Sequence, residues 1–218
     1  MKNKSRIFLA IVCLALTALA CQALSGTGTS KALFSDDFSS SNSKWGTGTD
    51  KDSSIEYADE ALQMIVYTKN WFVWSKPNDQ DYQNIHLEAT VKNNGTDATT
   101  AFGILCNKQK STSNFYYVAI TPAGEYAIAK ATDGQTDLFL TNNDQWATSD
   151  AIAKNAASYR VGADCGNGTL TLYVDGQQIA SVSDTTYTSG SVGLLTWSGE
   201  NATTTNVSFD DFLIQKLP

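Results

Sequence analysis

The side chains in this 218-residue sequence with the clearest chemical potential are aromatic. Trp71, Phe72 and Trp74 stand within four residues of one another, and Tyr82, Tyr116, Tyr117 and Trp197 follow further along. Exposed aromatic faces stack against the C–H faces of sugar rings, which makes Trp71, Trp74, Tyr117 and Trp197 candidate carbohydrate contacts. The competing reading is that large aromatics fill cores, and strand alternation around Trp71–Trp74 must turn some of them inward. Two acidic pairs, Asp36-Asp37 and Asp210-Asp211, lie near the ends of the strand-rich region. If the first and last strands lie side by side, these hard oxygen ligands could hold a structural Ca²⁺; the alternative is that they accept hydrogen bonds from nearby backbone N–H groups. Glu88 shares a strand face with His86, but no second carboxylate follows it two or four residues away, and a lone outward Glu is ordinarily a solvated surface group. The single histidine argues against the common His-rich zinc sites. No H-E-x-x-H, C-x-x-C, G-x-S-x-G or glycine-rich phosphate loop is present. No catalytic residue, no nucleotide site and no cofactor other than Ca²⁺ is expected.

The ends place these side chains outside the cytoplasm. Lys2, Lys4 and Arg6 precede an apolar run from Ile7 to Leu19, the layout of a secretory signal peptide and shorter than the roughly 20 residues of a membrane span. Ala18-Leu19-Ala20-Cys21 resembles the lipobox of bacterial lipoproteins, which implies a leader over residues 1–20 and a lipid on Cys21; the alternative is cleavage nearby, with Cys21 a stray thiol. Residues 21–31 are rich in Gly, Ser and Thr and read as a flexible tether. Cys13 leaves with the leader, so Cys106 and Cys165 are the pair left to the folded part, expected as a disulfide in an oxidising compartment or else as two buried thiols. Of the 15 Lys and Arg residues three lie in the leader, leaving 12 against 22 acids and a net charge of −10. So acidic a chain repels phosphate backbones, which excludes nucleic acid as a partner.

From residue 32 onward the elements that must position the candidate residues read as strands. Short alternating apolar runs are separated by Gly, Asn, Asp, Ser and Thr clusters, with no amphipathic helix and only a helical turn allowed around 149–157. Leu62, Met64 and Val66 form one inward set; Ile85, Leu87, Ala89 and Val91 form another, leaving His86, Glu88 and Thr90 outside. Asn167-Gly168 and Asp175-Gly176 mark hairpins. Cys106 shares parity with Phe102 and Ile104, and Cys165 with Tyr159 and Val161, so both sulfurs can face a core. About twelve strands in one domain, 32–218, predict an all-β, two-sheet antiparallel sandwich of jelly-roll type.

Several segments carry a family resemblance: Phe34-Ser-Asp-Asp-Phe38 with Trp45, Asn114–Ile120 followed by Gly124–Ile128, Leu170–Gln177, Asp184–Gly190, Val192–Leu195 and Ser208–Phe212. In this order they resemble the concanavalin A-like lectin/glucanase superfamily, in particular bacterial laminin-G-like and 3-keto-disaccharide hydrolase-type modules of exported lipoproteins. The resemblance implies the fold. It points to function weakly, because the matched residues are turn glycines, core apolars and a terminal strand. Glycosidases of that superfamily carry a strand motif E-x-D-x-x-E, which this sequence lacks. The expectation is a non-catalytic carbohydrate-binding module, lipid-anchored at the bacterial envelope. The alternatives are a glycoside-processing hydrolase of the 3-keto-disaccharide type and a structural, protein-contacting envelope lipoprotein.

Overall fold

The computed structural model describes residues 31–41, 45–200 and 204–217. The leader, Cys21 and the tether lie outside the described residues, apart from Lys31. In chain order the strands are β1 (Phe34–Asp36), β2 (Gly48–Thr49), β3 (Ser53–Ala58), β4 (Ala61–Val66), β5 (Phe72–Ser75), β6 (Ile85–Asn93), β7 (Ala101–Lys108) and β8 (Phe115–Ile120). They continue as β9 (Glu125–Ala131), β10 (Leu138–Phe139), β11 (Ala147–Thr148), β12 (Tyr159–Gly166), β13 (Thr169–Val174), β14 (Gln177–Ser183), β15 (Ser191–Trp197) and β16 (Thr205–Lys216). That is sixteen among the described residues, where the sequence predicts about twelve. The surplus comes from β1, β2, β10 and β11, which at two or three residues are too short to show a period.

Two antiparallel sheets result. The nine-stranded one runs β14-β13-β12-β6-β16-β4-β3-β2, and β1 also pairs with β16; the seven-stranded one runs β10-β9-β8-β7-β15-β5, with β11 against β9. β1 and β4 divide one edge of β16, facing residues 212–214 and 205–209, so the first and last strands lie side by side as expected. The hairpins fall where the turn residues place them. Asn167-Gly168 and Asp175-Gly176 have positive φ at both positions, the twist-matched geometry of two-residue hairpin loops.

The core lies between the sheets. The alternating sets are buried as the sequence predicts: Leu62, Met64 and Val66 on β4, and Ile85, Leu87, Ala89 and Val91 on β6, pack with Phe102, Ile104, Val118, Ile128 and Leu194 from the opposite sheet. Cys106 on β7 and Cys165 on β12 form a disulfide, with Cα atoms 6.5 Å apart, so it joins the two sheets through the core.

The seven-stranded sheet is buried on its other face as well. Ala101, Leu105, Phe115, Tyr117, Ala119, Ala129, Ala131 and Leu195 form a second apolar cluster there, with Phe72, Trp74, Phe139, Trp146 and Trp197 packed on it. The sheet is therefore apolar on both sides. Its β7, β8 and β15 read as continuous apolar runs for that reason.

Candidate functional site

On that outer face, one half is filled and the other is open. Leu105 and Phe115 are buried, and the Phe115, Tyr117 and Phe72 rings stand about a triangle with centroids 5.8 to 6.1 Å apart. Trp74 is half-buried, with the Lys108 ammonium 5.0 Å from its ring centroid. Beyond this plug the side chains shrink. Ala101, Ala119 and Leu195 floor a cavity of about 300 Å³, walled by Phe72, Trp197, Tyr117, Phe139 and Trp146.

One wall is built by the chain between β9 and β12. Phe139 and Trp146 meet edge to face, centroids 5.5 Å apart. Phe139 N–H donates to Asp144 Oδ1 at 2.7 Å, and Asn142 Nδ2 donates to the Trp146 carbonyl at 2.6 Å. Asn142, Asn143 and Asp144 all take the left-handed conformation, which Asn and Asp tolerate best among residues with a side chain. β10 and β11 then fasten both ends of this turn to β9. The wall is thus fixed by its own hydrogen bonds before any ligand arrives.

Asp137 supplies the polar end of the cavity. Its Oδ2 accepts the Tyr117 hydroxyl at 2.9 Å, and among the described residues no other donor reaches it. Burial raises its pKa, opposed by the Tyr117 hydrogen bond. Burial, and then the Asp137 charge, push the Tyr117 phenol far up, so its proton stays on the oxygen. Aromatic walls with one charged acceptor suit a neutral, hydroxyl-bearing ligand.

Of the four aromatic candidates read from the sequence, Tyr117 and Trp197 line this cavity and the other two do not. Trp71 is 40% exposed, just before β5, and Trp74 belongs to the plug. Tyr117 shows only 6% of its surface, presenting an edge and a hydroxyl rather than an open stacking face. The sequence alone does not mark Asp137, Phe139 and Trp146. The available signal was two large aromatics in an otherwise Asn/Asp-rich, turn-like stretch with no strand alternation.

The acidic pairs meet in part: three of the four carboxylates share one surface hollow. Asp36 is buried, its Oδ1 accepting Phe38 N–H at 3.0 Å and its Oδ2 accepting Trp45 Nε1–H at 3.1 Å. Asp37 caps Ser39. Asp36, Asp37 and Asp211 line one surface hollow with Arg160, whereas Asp210 opens into a neighbouring one, on the other side of the bulge where Asp211 has positive φ. Among the described residues no three His, Cys, Asp or Glu side chains are grouped to hold a metal ion.

His86 and Glu88 do face outward, on the solvent side of the nine-stranded sheet, and the neighbouring strand supplies the second carboxylate that their own strand lacks. His86 Nδ1 lies 2.6 Å from Asp164 Oδ1 and its Nε2 3.2 Å from Glu88 Oε1. Arg160 donates to Glu88 Oε2 from Nε and Nη2, to Thr90 Oγ1 and to the Asp211 carbonyl. Tyr173 OH donates to Asp164 Oδ2. The network stitches β13, β12, β6 and β16 together. The hydrogen bonds to Asp164 and Glu88 push the His86 pKa from 6.5 up to about 9. A raised pKa in the folded state means that this stabilisation is complete below about pH 6.5 and is lost as pH rises through about 9. Screening on a partly solvated face leaves about 1–2 kcal/mol of it. The unfolding free energy from urea titrations should therefore fall by that amount between pH 6 and pH 10, and His86→Gln should remove most of the slope; an unchanged slope would assign the loss to other groups.

No protein-family model and no curated protein matches the chain. Solved structures do. It is similar to a carbohydrate binding module, CBM66, from Bacillus subtilis, at 14% identity over 79% of this chain and 96% of that one, with a TM-score of 0.61. It is similar to a β-glucanase from Bacillus licheniformis at 13% identity over 87% and 99%, TM-score 0.60. A B. subtilis protein of unknown function with a galectin-like fold matches at 12% identity over 85% and 96%, TM-score 0.57. At such identities these likenesses establish the fold, a concanavalin A-like jelly roll.

Proposed function

We propose that the chain is an exported, lipid-anchored module that binds carbohydrate in the cavity on the outer face of its seven-stranded sheet and does not cleave it. The observation that carries this reading is the cavity itself: aromatic walls from Trp197, Phe72, Phe139 and Trp146 around one half-buried acceptor, Asp137. Sugars offer the matching chemistry, C–H faces for the rings and hydroxyl donors for the carboxylate. The scaffold is one on which a carbohydrate binding module and a β-glucanase are also built.

Glycoside hydrolysis by the common route needs two carboxyl groups about 5 to 10 Å apart across the scissile bond. Asp137 is the one carboxylate among the residues lining this cavity, which favours binding over cleavage. Cys21, behind a basic and then apolar leader, supports anchoring at the bacterial envelope by a lipid.

The test is a panel of glycans and polysaccharides, scored for retention and for released sugar together. Retention without release is the expected result. Trp197→Ala should weaken it five- to tenfold, the loss of about 1 kcal/mol of stacking. Released sugar would assign a hydrolase instead, and neither signal would move the assignment to a protein-contacting envelope role.

A further inference from the structure

We infer that the cavity receives the end of a neutral glycan, one or two terminal sugar units, rather than an internal stretch of a longer chain. This rests on the carbohydrate reading above and adds how the ligand is presented and which class it belongs to.

The first reason is that the outer face of the seven-stranded sheet is not a through-going groove. A linear polymer lying along the strands would meet Tyr117, Phe72 and Phe115, whose rings close that half of the face, with Leu105 buried beneath. A polymer crossing the strands would meet Phe139 and Trp146 at the β9 edge, standing edge to face. That wall cannot swing aside cheaply. Asp144 holds the Phe139 N–H, Asn142 holds the Trp146 carbonyl, the Leu140 N–H donates to the Ile128 carbonyl at 2.8 Å, and Ala147 and Thr148 pair with Tyr126 and Glu125 of β9. Moving it breaks backbone pairing at both ends of the turn.

The second reason is size. About 300 Å³ lies at the bottom of the roughly 300–1,000 Å³ range of ligand cavities, so a short piece of a chain fills it. The third is charge. Asp137 turns a carboxylate into the cavity, and Arg and Lys are missing from the residues that line it. Uronic or sialic acids would bring an unpaired negative charge beside it at a cost that grows as water is excluded. Neutral hydroxyl-rich termini can donate to it instead.

Calorimetric titration of the full-length chain with oligosaccharide ladders decides the matter. The probes are neutral β-1,3-gluco-, β-1,4-gluco-, β-1,4-manno- and fructo-oligosaccharides from monomer to hexamer, with oligogalacturonides of the same lengths as the anionic ladder. For any neutral ladder that binds, affinity per chain should level off at the dimer, changing by less than about threefold from dimer to hexamer. Oligogalacturonides should not bind. The double substitution Phe139→Ala, Trp146→Ala removes the wall, and the hexamer should then gain on the dimer. A climb of about tenfold or more from dimer to hexamer in the parent protein, or binding of the anionic ladder, would overturn end-on recognition while leaving carbohydrate binding intact. Binding of no ladder would remove the carbohydrate reading and this inference with it.

Discussion

Replacing Cys106 and Cys165 together with alanine should lower stability by about 4 kcal/mol and the melting temperature by roughly 8–16 °C for a domain of this size. The bond closes a sequence separation of 59 residues, and the unfolded chain regains the entropy of that loop when the link is removed. The two sulfurs lie inside the interface between the sheets, joining a central strand of one, β12, to a central strand of the other, β7. Either sheet can otherwise separate from its partner only by exposing the whole apolar layer. Calorimetry of the parent protein, the parent with reductant, and the double variant should show the latter two melting together. A double variant melting within about 2 °C of the parent, less than 1 kcal/mol, would mean that packing alone holds the sheets.

This disulfide was legible in the sequence, and so was much of the fold, for one physical reason. Wherever a strand has one face on the core and the other in water, alternation records it, as in Leu62-Met64-Val66 and in Ile85-Leu87-Ala89-Val91 with His86 and Glu88 outward. Cysteine parity worked by the same rule. The hairpins at Asn167-Gly168 and Asp175-Gly176 were legible because their backbone demands particular residues. What the rule cannot record is pairing between distant strands. Asp164 stands opposite His86 across β6 and β12, 78 residues away in the chain, and no local pattern says so.

The site was less legible because it lies where alternation stops. On β7, β8 and β15 nearly every residue is buried, one set in the core and the other under the second apolar cluster, so composition cannot tell which face a residue such as Tyr117 takes. In the sequence Trp71 is as good a sugar platform as Trp197. Only register separates them, since Trp197 pairs with Phe72 and Ala101 on the cavity side, while Trp71 falls just outside the strand. The wall and the acceptor come from 132–148, where two strands of two residues carry no period at all.

Among the described glycines, Gly103→Ala should be the most damaging added methyl, costing at least the ~3 kcal/mol at the top of the overpacking range. A Cβ there would sit 1.9 Å from the Val118 carbonyl oxygen and 2.9 Å from the Ala119 Cα. Relief requires backbone movement, and the backbone in question is β8, paired on both sides by β7 and β9. Gly193 shows the contrast. A Cβ there would lie 2.2 Å from the Ser75 carbonyl oxygen, but Ser75 ends β5, an edge strand of its sheet, which can yield, so Gly193→Ala should cost less. Gly48 has nothing within 4 Å of an added Cβ, and Gly48→Ala should stay within about 0.5 kcal/mol of the parent. Urea midpoints of the three variants should fall in that order, and a Gly103→Ala protein as stable as Gly48→Ala would show that β7 and β8 can part without loss. Because Gly103 pairs with Ala119 on one side and Leu195 on the other, it lies in the row of small and aliphatic residues that floors the cavity.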